Sequence, residues 1–84
     1  MIIEVGSVEE FKKVGNEFEK DKYRMYYSEE EGIVILRPTV TTRGRDTLVV
    51  SGVSREEIDE LVSWWGQAFK IKRVEFDETK WRWL

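Results

Sequence analysis

The chain has no cysteine and no histidine. Without cysteine, neither a disulfide nor a thiolate metal site can staple a small domain together. Without histidine, it lacks the commonest metal ligand and the usual general base near neutral pH. Side-chain amides are almost missing, with Asn16 and Gln67 alone, and Pro38 is the single proline. No apolar run approaches the ~20 residues that span a bilayer, and no signal peptide is read ahead of the first strand. The expectation is a soluble, cytoplasmic chain with no membrane partner and no cofactor.

Charge and aromatic rings are abundant instead. Charged residues make up 37% of the chain, and the Glu, Lys and Arg excess with few thermolabile residues resembles hyperthermophile composition. Seventeen acidic and 14 basic residues leave a net charge of −3. That is too mild for an acidic tail, and it is opposite to the basic excess by which nucleic-acid binding usually shows. Eighty-four residues make one domain, residues 1–84, that buries only about 60% of its unfolded surface. Four tryptophans, three tyrosines and four phenylalanines compensate, because each aromatic buries a large area.

Along the chain, Met1 to Val5 reads as a strand and Gly6 ends it. Ser7 with Glu10 three residues on forms a capping box. Phe11, Val14 and Phe18 recur at helical spacing, so a helix is expected to run to Lys20–Lys22, weakened at Gly15. Tyr23 to Tyr27 is an aromatic strand, Ser28 to Gly32 a turn, and Ile33 to Leu36 a strand covered on both faces. Pro38 ends that strand or leaves it at an edge. Thr47 to Ser51 is the fourth strand. Ser54 and Glu57 form a second capping box, and Ile58, Leu61, Val62, Trp65 and Phe69 make the stripe of a second helix. Trp64 lies beside that stripe. Ile71 to Phe76 is expected as a fifth strand and Trp81 to Leu84 as a short sixth.

The second half reads as a faint copy of the first. A shift of 47 positions (54 minus 7) lays Ser7 on Ser54, Glu10 on Glu57, Phe11 on Ile58 and Phe18 on Trp65. A shift of 48 then lays Tyr23–Leu36 on Ile71–Leu84 without a gap. Internal similarity of this length points to a repeated unit. The units are residues 1–37 and 47–84, joined by residues 38–46. The fold class is therefore α+β: a two-layer sandwich of duplicated strand-helix-strand-strand units, both helices on one face of a mixed or mostly antiparallel sheet. If the last segment is only a tail, the remainder is ferredoxin-like with an extra strand. The layout resembles the duplicated strand-helix-strand-strand folds of some small-molecule-binding domains and of the TATA-binding protein. No functional motif accompanies the resemblance, so it carries over no residue and no activity.

Function is sought where the two units differ. Met25 and Val34 fall opposite Arg73 and Arg82, and an unpaired charge is rarely buried. An exposed apolar patch is therefore expected around Met25, Tyr26, Tyr27, Val34 and Leu36, for association with a second copy or another protein. The alternative is nucleic-acid binding through the Arg43-Gly44-Arg45 connection, extended by Arg73, Lys80 and Arg82 with Trp81 and Trp83 interleaved. A third reading is a ligand groove between the units, lined by Trp64, Trp81, Trp83 and tyrosines. Enzyme chemistry has the weakest case: no catalytic residue and no metal-ligand spacing stands out. The carboxylates Glu29, Glu30 and Glu31 are expected to be a solvated turn.

Overall fold

The computed structural model describes residues 1–39 and 45–75 and the strand pair at 82–83, with backbone alone for Glu75, Arg82 and Trp83. The strands and helices follow the sequence pattern closely through the first two thirds. Strand β1 (Ile2–Val5) leads into helix α1 (Val8–Gly15), then a 3-10 turn at Lys20–Lys22, β2 (Tyr23–Ser28) and β3 (Ile33–Pro38). After these come β4 (Thr47–Ser51), α2 (Arg55–Trp65) and β5 (Phe69–Lys70). A hairpin of β6 (Val74–Glu75) and β7 (Arg82–Trp83) follows.

Five strands form one mixed sheet in the order β1-β4-β3-β2-β5. The β2/β3 and β3/β4 pairs are antiparallel, whereas β1/β4 and β2/β5 are parallel. Each helix thus links two parallel strands across two intervening ones: α1 carries the chain from β1 to β2, and α2 carries it from β4 to β5. A parallel link needs such a long crossover, and a helix supplies it. The sheet is mixed, one of the two expected forms, and it does not confirm the duplication. Ser7 and Ser54 do cap their helices alike, each accepting from the amide three residues on at 3.2 Å, and Glu57 closes a full box back onto Ser54. Past the helices the halves part. β3 lies inside the main sheet, whereas Arg82–Trp83, the described part of its expected counterpart, pairs with Val74–Glu75 in the separate hairpin.

Both helices cover one face of the sheet. Phe11, Ile58, Leu61 and Trp65 from the helices meet Tyr23, Met25, Val34, Leu36, Leu48 and Val50 from the strands in one core. Side chains alternate across a strand, so the intervening residues point to the opposite, far face. There Ile35 and Val49 are sealed by Val74, with Ile2, Ile33 and Ile71 packed around them. Strand β3 is therefore apolar on both sides, as its unbroken run implies, and Val34, Ile35 and Leu36 are all fully buried.

Two helix ends differ from the spacing-based reading. α1 stops at Gly15, not at Lys20–Lys22, and turn bonds from Glu17 to Val14 and from Phe18 to Gly15 replace helical ones. Phe18 leaves the helix and stacks on Tyr23, ring centroids 4.3 Å apart. At Gly15 a side chain of α2 packs against the α1 backbone: a Cβ there would lie 2.6 Å from Trp64 Cη2. α2 stops at Trp65 because Gly66 takes a left-handed conformation, φ +92°, which glycine adopts without the penalty other residues meet. Phe69 is consequently not in the helical stripe. It lies in β5 at the sheet edge.

The β2–β3 turn anchors the C-terminal segment. The buried Ser28 hydroxyl donates to the Lys72 carbonyl and accepts from the Glu31 amide, and the Glu31 carboxylate accepts from the Val74 amide at 2.7 Å. Glu29 pairs with both Arg55 and Lys70. Glu30 is exposed as expected of a solvated turn, but Glu29 and Glu31 also act as tethers, and Val74 lies on the far face; Phe76, the end of the expected fifth strand, lies outside the described residues.

Candidate anion-binding face

The expected apolar patch is core. Met25, Val34 and Leu36 have no exposed surface, because the face that carries them is the one the helices cover. The inference from Arg73 and Arg82 required equivalent positions in two units, and the sheet gives Met25 and Val34 no such equivalents. Tyr27 shares the helix side and packs against the same core while half-buried. Tyr26 alone of that set points to the far face.

The arginine connection is only partly within view. Arg43 and Lys80 lie outside the described residues, as does Trp81, and the side chains of Arg82 and Trp83 are not described. Arg45 is committed within the chain: it pairs with Glu19 at 3.1 Å and bonds the Tyr23 phenol. Burial holds that phenol above its ordinary value, Arg45 pulls it back, and Asp46 and Glu19 push with the burial. Arg73 is exposed and makes a contact of its own within the chain. The groove reading loses Trp64, whose ring packs edge-on against Phe11, centroids 6.1 Å apart, and closes over Gly15.

A different set converges on the far face. Arg24 in β2 is directly opposite Arg37 in β3. Two residue pairs further along, on the same face, Tyr26 is opposite Ile35 and beside Phe69 of β5, with ring centroids 5.6 Å apart and tilted by 33°. The Arg24 guanidinium lies 5.9 Å from the Phe69 ring centre, within the range of a cation–π contact. Arg24, Tyr26, Arg37, Pro38 and Thr39 enclose a recess of about 120 Å³. Arg24 is exposed and Phe69 is 40% exposed, whereas Tyr26, Arg37 and Thr39 are half-buried and also engaged within the chain.

The electrostatics of this face run against those of the whole molecule. Strands β2, β3, β4 and β5 carry no carboxylate, and the one acidic residue of the sheet is Glu4 in β1, at the opposite edge from β5. Lys70 shares the register of Tyr27 and is tied to Glu29. The acidic residues concentrate on the helices and turns, where they meet Lys12, Arg45, Arg55 and Lys70. Like charges directly opposite in an antiparallel pair destabilise it, so Arg24 facing Arg37 is a feature that strand pairing itself does not ask for.

Neither Arg24, Arg37 nor Phe69 stands out in the sequence. The signal for the arginine pair was the turn length: once Ser28 and Ile33 flank the hairpin, counting back four residues on each strand lays Arg24 on Arg37. The signal for Phe69 was Gly66, a helix stop directly after Trp65.

No family model matches the chain, and neither the curated proteins nor the solved structures searched contain a significant match to it. The functional reading therefore rests on this geometry.

Proposed function

We propose that the chain is a small non-enzymatic binding module whose working surface is the far face of the sheet at Arg24, Tyr26, Arg37, Thr39 and Phe69, and that it takes up an anionic group presented by its partner. The observation that carries this is the cross-strand pair Arg24–Arg37 on strands β2 and β3, which carry no carboxylate of their own. Guanidinium groups present forked donors that match the oxygens of phosphate or carboxylate, and the adjoining recess is of a size for such a group. Tyr26 and Phe69 flank it as aromatic anchors, the residue types that carry most interface energy. Association with a protein or a second copy, if it occurs, uses this surface and not the buried Met25, Val34 and Leu36.

The test is a titration with inorganic pyrophosphate at low salt, followed by amide and arginine side-chain NMR signals. Saturable shifts centred on Arg24, Arg37 and Thr39, lost in the Arg24→Ala, Arg37→Ala double variant, are the expected result. Shifts that never saturate, or that centre on Arg45 and Arg73, would remove the reading.

A further inference from the structure

We infer that the anionic partner of this face is single-stranded nucleic acid, its phosphates held by Arg24 and Arg37 and a base stacked on Phe69. This rests on the anion-binding reading above and adds the identity of the ligand.

Three observations lead there. First, the cations and the rings alternate over a small area. Phe69, Tyr26 and the Arg24–Arg37 pair lie on the adjacent strands β5, β2 and β3, a width of about 10 Å at ~4.8 Å per strand step. Single-stranded nucleic acid has the same alternation of charge and flat apolar surface: phosphates bind cationic side chains, and bases stack on aromatic rings or guanidinium planes. Secondly, Phe69 is 40% exposed beside an arginine. An acidic peptide gives the arginines a partner, but its Asp and Glu side chains supply no aromatic face to stack on that ring. Thirdly, the arginines and Phe69 lie on strands β2, β3 and β5, a sheet surface with a recess of about 120 Å³ beside it, and not on a helix that could enter a groove. Bases in a duplex are stacked on one another and closed to such a ring, whereas unpaired bases can be splayed onto it.

The net charge of −3 does not oppose this at the contact itself. Most of the helices' acidic side chains lie on the other side of the sheet, and beyond a Debye length of about 8 Å at physiological salt their repulsion is largely screened. It does predict a short footprint and a weak interaction. Two phosphate contacts on a single strand give a slope of log K against log salt of about −1.4, roughly 0.7 per phosphate.

The experiment is fluorescence anisotropy of a short labelled oligothymidylate across a salt series. A matched duplex and an oligoglutamate peptide serve as competitors, and the pyrophosphate titration is run on the same samples. The expected result is preference for the single strand with a slope near about −1.4. Arg24→Ala and Arg37→Ala should each flatten that slope by about 0.7. Phe69→Ala should weaken binding by about tenfold with the slope unchanged, since loss of one stacked base is worth roughly 5-fold to 150-fold. Phe69→Trp keeps the stacking surface and should restore binding, which separates stacking from any effect on the edge strand. Pyrophosphate binding without oligothymidylate binding overturns the nucleic-acid inference and leaves the anion reading standing; failure of both overturns both. Equal binding of duplex and single strand, full competition by oligoglutamate, or an unchanged affinity in Phe69→Ala each overturns the inference.

Discussion

The two faces of the sheet are built from the same strands and have opposite characters. On the helix side, Met25, Val34, Leu36, Leu48 and Val50 are sealed beneath Phe11, Ile58 and Leu61. On the far side the centre is sealed at Ile35 and Val49, but the β2–β3–β5 end leaves Arg24, Tyr26 and Arg37 around a recess, with Phe69 exposed beside Tyr26 and Arg24. A slip of one residue in β2 would exchange Met25 for Arg24 beneath the helices. Register is therefore held by the cost of burying a guanidinium as much as by the apolar pattern. The comparison teaches that this sheet has one face sealed by the helices and one face sealed only at its centre, and the part left partly exposed is where the two arginines meet.

The largest expected effect is on the helix side. Leu36→Glu puts a carboxylate among fully buried apolar side chains. Its desolvation costs several kcal/mol, against a total stability of roughly 4–13 kcal/mol for a chain of this length at about 0.05–0.15 kcal/mol per residue. The variant should lose its cooperative thermal transition by circular dichroism; Met25→Arg should behave alike. A folded Leu36→Glu protein with a normal melting curve would mean that this face is not the core and would dissolve the contrast between the two sides.

A smaller effect sharpens the picture of how tightly that side is closed. Gly15→Ala adds a Cβ that would lie 2.6 Å from Trp64 Cη2 and 3.2 Å from Leu36 Cδ1. Alanine raises helix propensity by up to about 1 kcal/mol, but overpacking costs about 1–3 kcal/mol, and an indole wedged between two helices has little room to yield. Net destabilisation of about 1 kcal/mol is expected, lowering Tm by about 4–8 °C. Replacing Trp64 by leucine in the same chain should recover part of the loss, a non-additivity that neighbouring sites show and distant ones do not. A rise in Tm for Gly15→Ala alone would show that α1 and α2 are less tightly packed than the structure has them.

Much of the fold was legible because local rules and packing agree. The Ser7 and Ser54 caps, the alternation of Tyr23–Ser28 and the apolar run Ile33–Leu36 each describe a structure that neighbours then reinforce. The misreadings lie where a local pattern ran past its physical stop. The stripe Ile58, Leu61, Val62, Trp65, Phe69 keeps helical spacing through Gly66, but a left-handed glycine ends the helix whatever the spacing beyond it. Periodicity also says which residues of a strand share a face, and it is silent on which face the helices take. Met25 and Val34 were expected outside for that reason: the choice of side was borrowed from Arg73 and Arg82, whose segment does not pair as Met25's does. The site was harder still, since Arg24 and Arg37 become neighbours only through hairpin register and Phe69 joins them only through a parallel pairing 43 positions away.

The smallest expected effect on stability is the most informative about function. Arg24 and Met25 are adjacent in one strand and point to opposite faces. Met25→Thr removes a buried side chain and leaves a hydroxyl in its place, a change that costs about 2–5 kcal/mol for the lost packing alone. Arg24→Thr should cost almost nothing. Threonine suits a strand, and relief from the opposing Arg37 is worth about 0.2–1 kcal/mol. Loss of the contact with Phe69 removes a similar amount, about 0.5–1 kcal/mol at an exposed site. These terms nearly cancel, so the unfolding free energy should change by no more than about 0.5 kcal/mol, the usual range for surface substitutions. Pyrophosphate binding by the same variant should fall severalfold. A stability loss near that of Met25→Thr would make Arg24 a structural residue. Unchanged stability with lost binding would show that the arginine pair is retained for what it binds, at a position where the strand is indifferent to it.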